Sequence, residues 1–98
     1  MFGRSAFRDV ISRQLDIFAV DETNGLIADV QEMKRLYDET DRDDAEEAYG
    51  DYVDAIDAVK DALADMRDRF AATLDEAAAE KYEREFEEAA RKRWRWLA

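Results

Sequence analysis

The chain has 98 residues, with 26 Asp and Glu against 15 Lys and Arg for a formal charge of −11, and it contains no His, Cys or Pro. Without His or Cys, the usual zinc sites, Ser-His-Asp and Cys-His nucleophile systems and disulfides are excluded, and acid–base chemistry falls to carboxylates, Lys or Tyr. The length suits one domain with a single core, and a hydrophobic content of 47% is too high for a disordered chain despite the charge.

No apolar run of about 18 residues predicts a membrane span, and the first residues lack the continuous apolar stretch of a secretory signal. The expectation is a soluble, cytoplasmic protein. Asp outnumbers Glu 15 to 11 and Arg outnumbers Lys 11 to 4. A G+C-rich genome or a high-salt cytoplasm explains that bias without any partner, because acidic surfaces keep proteins soluble.

In chain order, Phe7, Ile11, Gln14, Leu15 and Phe18 recur at helical spacing and predict a first helix over about 4 to 19. Asp21, Asn24 and Gly25 interrupt it, with Asp21 placed to cap the next helix or Gly25 to end the first. Leu26, Val30, Met33 and Tyr37 then define a second helix over about 22 to 39. Asp43 with Glu46 has the capping-box form and opens a third helix, about 43 to 72. Along it Tyr49, Tyr52, Ile56, Val59, Leu63, Met66 and Phe70 alternate steps of three and four, a seam that requires a facing helix. Gly50 inside this helix costs about 1 kcal/mol relative to Ala, which a close helix approach or a kink would explain. Thr73 with Glu76 forms a second capping box before a fourth helix, about 74 to 96. Its stripe runs through Ala79, Tyr82, Phe86, Ala89 and Ala90 towards Trp94 and Leu97. No segment sustains the period of two that a strand needs.

These elements predict a single all-α domain. At about 1.5 Å per residue the third helix reaches roughly 45 Å and the first two nearer 25 Å, so no single short neighbour covers it. Short connections favour antiparallel neighbours. The expected architecture is an up-down four-helix bundle, or else a helical hairpin that dimerises into a bundle.

Charge is unevenly distributed: residues 1–20 sum to +1, residues 21–90 to −16 and residues 91–98 to +4. In an up-down bundle the start of the first helix and the end of the fourth share a pole. Arg4, Arg8, Arg91, Lys92, Arg93 and Arg95 would then gather beside Phe2, Phe7, Trp94 and Trp96. One reading of this pole is structural, with cations stabilising a helix C-terminus and the Trp residues closing the core. The other is a docking surface for phosphate, a lipid headgroup or an acidic protein segment, since Arg and Trp are enriched at binding hot spots. Trp94 and Trp96, two apart on a helix, do not share a face, so one of them is expected at the surface. The candidate binding residues are Arg91, Lys92, Arg93, Trp94, Arg95 and Trp96.

Other chemistries fit less well. The acidic bulk argues against direct nucleic-acid binding. Asp51, Asp54, Asp57, Asp61, Asp65 and Asp68 instead run along one broad side of the third helix, as an acidic mimic of DNA would arrange them. Glu76, Glu80, Glu83 and Glu87 have a spacing compatible with Mg²⁺ in an all-α nucleotide hydrolase, although such spacing arises by chance in a chain that is 42% charged. The expectation is a small acidic interaction or regulatory protein without catalysis, metal or cofactor, engaging a protein partner or a second copy as a homodimer.

Overall fold

A computed structural model describes residues 7–21 and 24–97. Among them are four α-helices, α1 (Arg8–Val20), α2 (Leu26–Glu39), α3 (Ala45–Ala71) and α4 (Glu76–Arg93), with 3₁₀ turns at Arg42–Asp44 and Arg95–Leu97, and no strand. The expected positions Phe2 and Arg4 and the predicted helix starts at residues 4 and 22 lie outside the described residues.

The helix boundaries follow from which backbone donors find a partner. Gly25 takes the left-handed conformation at φ 59° directly before α2, where a side chain would be strained. The Asn24 carboxamide oxygen accepts from the Leu26 N–H at 2.8 Å, so Asn24 and Gly25 together start α2, and not Asp21. The third helix is capped two residues earlier than the capping-box pattern predicts. Asp41, not Asp43, accepts from the Asp44 N–H, and the 3₁₀ turn Arg42–Asp44 leads into α3. For α4 the cap lies two residues later: Asp75 accepts from the Ala78 N–H at 2.8 Å. Thr73 is unavailable because its hydroxyl donates to the Phe70 carbonyl at the end of α3. Gly50 sits within uninterrupted α3, and a Cβ built there meets nothing within 4 Å, so close helix approach does not account for it.

The chain divides into two compact units, one formed by Met1–Val20 with Leu63–Ala98 and the other by Asp21–Ala62. In the first, α1, the end of α3 and α4 enclose a core of Ile11, Leu15, Phe18, Leu63, Ala71, Tyr82, Phe86, Ala90, Trp94 and Leu97. Each large apolar side chain so buried contributes about 1.5–3 kcal/mol. Tyr82 is its centre. It is 0% exposed, its ring meets Phe7, Phe70 and Phe86, and its hydroxyl donates to Gln14 Oε1 at 2.8 Å. Burial pushes the Tyr82 phenol pKa up, partly opposed by the Gln14 hydrogen bond and by Arg67. The Arg67 guanidinium ties α3 to α4 through Glu87 at 2.6 Å.

The same contacts set helix direction. Phe7 meets Tyr82 and Phe18 meets Trp94, so α1 and α4 run parallel. Antiparallel packing does hold for the consecutive pair α3 and α4, where Phe70 meets Tyr82 and Arg67 meets Glu87.

The second unit pairs α2 with the first part of α3. Tyr37 stacks on Tyr52 at 6.3 Å and contacts Tyr49 at 5.4 Å between ring centroids, and among the described residues Val30 and Val59 are buried. On α2, Lys34 pairs with Asp38, and Arg35 with Glu32 and Glu39. The Arg35 hydrogen bond holds the Glu32 carboxyl below its ordinary pKa. Residues 21–62 hold fifteen carboxylates and four basic side chains, so this unit carries the entire net charge and the other is neutral.

Candidate functional site

The basic end of α4 is built by a change of backbone direction. The Trp94 N–H still bonds the Ala90 carbonyl, but at φ −125° and ψ 95° the chain leaves the helix and closes the 3₁₀ turn through the Leu97 N–H and the Trp94 carbonyl. The premise that both Trp residues lie on one helix therefore fails. Trp94 is buried at 9% exposure with its ring edge-to-face against Phe18. Trp96 is half-buried, its ring 6.3 Å from that of Trp94. Once the helix breaks, side chains two apart are free to turn towards one another.

The cations of this end fall into two groups. Arg93 bonds Asp16 of α1 at 2.5 Å and lies 5.2 Å from the Trp94 ring centroid, so it clamps the end of α1 to the end of α4. Arg91 reaches Glu87 only at 3.9 Å, and Glu87 is already held by Arg67. Lys92 and Arg95 enter no ion pair among the described residues. An open groove of about 660 Å³ is lined by Arg91, Lys92, Arg95 and a single carboxylate, Glu88. Lys92 and Glu88 also line a second groove of about 590 Å³ along α1 and α4, which has Ile11, Leu15 and Ala89 in its wall.

Parallel packing corrects the expected composition of the pole. The end of α4 adjoins the end of α1, at Asp16 and Phe18, not its start. Arg8 and Phe7 belong to the other end, where Phe7 packs on Tyr82. Of the six consecutive positions Arg91 to Trp96, Arg93 and Trp94 are occupied by the fold, while Arg91, Lys92, Arg95 and part of Trp96 face outward. Sequence reasoning missed Asp16, 77 residues from its partner Arg93. It also missed the Gln14 bond to Tyr82, although a Gln within the apolar stripe of α1 was its signal.

The other candidate arrangements look different in three dimensions. Of the aspartates along α3, Asp65 is paired with Arg69 and Asp68 with Arg67, which interrupts the acidic stripe. Among the described residues no group of three or more carboxylates is placed to hold a metal ion, and no helix is long and apolar enough to cross a membrane. The chain matches no protein-family model, no curated protein and no solved structure.

Proposed function

We propose that this is a non-catalytic interaction protein that docks an anionic segment of a partner protein on Arg91, Lys92 and Arg95 beside Trp96. The observation that supports this most directly is the groove at the end of α4. Three cations line it against one carboxylate, and two of them have no ion-pair partner among the described residues. The guanidinium and ammonium groups of Arg91 and Lys92 at the end of α4 and of Arg95 in the turn that follows suit carboxylates, and a half-buried indole beside them supplies the apolar contact typical of a hot spot. The test is capture from native lysate at two ionic strengths with wild-type protein and with Lys92→Glu/Arg95→Glu. The charge-reversed protein is expected to lose the captured partner while its helicity and melting stay nearly unchanged. Undiminished capture would refute the assignment, and Lys92→Gln/Arg95→Gln separates loss of contact from loss of fold.

Self-association is a second reading, supported by apolar side chains on α1 that remain 37% (Val10), 57% (Ile17) and 74% (Val20) exposed. Light scattering over a range of concentration and salt tests it, and a strict monomer throughout refutes it.

A further inference from the structure

The second unit carries a different surface, independent of the basic end of α4. Between α2 and the start of α3 a groove of about 210 Å³ is lined by Met33, Leu36, Thr40, Asp44, Glu47, Ala48 and Asp51. Met33, Leu36 and Ala48 give it an apolar floor, and Leu36 stays 39% exposed. Asp44, Glu47 and Asp51 form the rim, and none of them enters an ion pair among the described residues. On a helix, side chains three or four apart are neighbours. On α3 the successive carboxylates Glu47 and Asp51 are such neighbours, closer than the Debye length of about 10 Å at 0.1 M salt, and act on a ligand together, with Asp44 one turn before them.

We propose that this groove binds a basic amphipathic segment of a partner protein, with one apolar side chain on the floor and flanking Lys or Arg residues against the rim. Charge decides the occupant. The unit bearing the groove holds the whole −11 of the chain, and Lys34 and Arg35, half of its basic side chains, are already paired on α2. A second acidic hairpin brought to the same place meets like charge, whereas a cationic segment is drawn in and oriented by the field. The apolar floor distinguishes this surface from a plain acidic face. It selects for an apolar side chain at the centre of the cationic segment, which a nucleic-acid mimic would not require.

The experiment uses the full chain and a fluorescent amphipathic peptide of alternating Leu and Lys blocks, read by anisotropy. Glu47→Gln/Asp51→Asn is compared with Asp57→Asn/Asp61→Asn, which removes the same charge from the same helix outside the groove. The groove pair is expected to weaken binding about tenfold, the control pair less than about twofold. Leu36→Ala is expected to weaken it several-fold with no change of charge, and replacing the peptide's Leu by Ser to abolish it. Equal losses from the two charge pairs, an unaffected Leu36→Ala, or no binding of the peptide by wild-type protein at low salt would each overturn the proposal. Circular dichroism of every variant confirms that helicity is retained.

Discussion

Replacing Trp94 with Ala tests the division of labour at the end of α4. Truncating a buried aromatic to Ala removes about 3–5 kcal/mol. Trp94 belongs at the upper end of that range, because its edge-to-face contact with Phe18 adds about 0.5–1.5 kcal/mol beyond area burial and its ring also carries the Arg93 guanidinium. A chain of this size has a total stability of about 5–15 kcal/mol, so the loss is a large share of the whole. Trp96→Ala removes a half-buried ring outside the core and is expected to cost under about 1.5 kcal/mol. Urea unfolding followed by far-ultraviolet circular dichroism measures both. Each variant keeps one Trp, and native emission from Trp96→Ala should lie to the blue of that from Trp94→Ala. The reasoning is refuted if Trp94→Ala loses less than about 1 kcal/mol or if the two variants lose the same amount.

Two further substitutions probe the remaining framework. Gly50→Ala is expected to stabilise the protein by about 1 kcal/mol and to raise the melting temperature by about 4–8 °C, since the added Cβ meets nothing. A fall in melting temperature contradicts this. Tyr82→Phe should cost about 0.5–1.5 kcal/mol near neutral pH through the lost hydrogen bond to Gln14. It should also flatten the alkaline limb of the stability curve. The phenol's pKa is higher folded than unfolded, so its contribution is complete below the ordinary value near 10 and is lost as pH rises through the folded value. Identical alkaline slopes for wild type and variant would exclude that role.

Helix existence was legible because apolar spacing reports on burial: Ile11, Leu15, Phe18, Val59, Leu63, Tyr82 and Phe86 were placed on inward stripes and are buried, whereas Tyr49, at the start of the α3 seam, is 51% exposed. Cap identity was not. Asp41 and Asp43 near α3, and Thr73 and Asp75 near α4, are chemically similar competitors, and the choice between them rests on local bonds such as Thr73 to the Phe70 carbonyl. The cations and indoles of the candidate site could be read from composition, but their partition could not. Whether Arg93 is free depends on Asp16, far away in sequence. That proximity depends in turn on the parallel run of α1 and α4, which the rule of short antiparallel connections does not govern, because α2 and α3 intervene.

The unit holding α1 and α4 is discontinuous, its two pieces separated by the 42 residues of Asp21–Ala62. Closing a loop of that length costs about 3 kcal/mol in chain entropy, and no contact of α1 with α4 compensates for it until both are in place. The α2–α3 hairpin, built from neighbours in sequence, faces no such delay. In folding, the acidic hairpin has its partners at hand while α1, with Ile11, Leu15 and Phe18 to cover, waits for α4 to dock. A chain cut before Tyr82 would keep every residue of the hairpin, Asp21–Ala62, and leave Ile11, Leu15 and Phe18 of the first helix without the α4 side of their core.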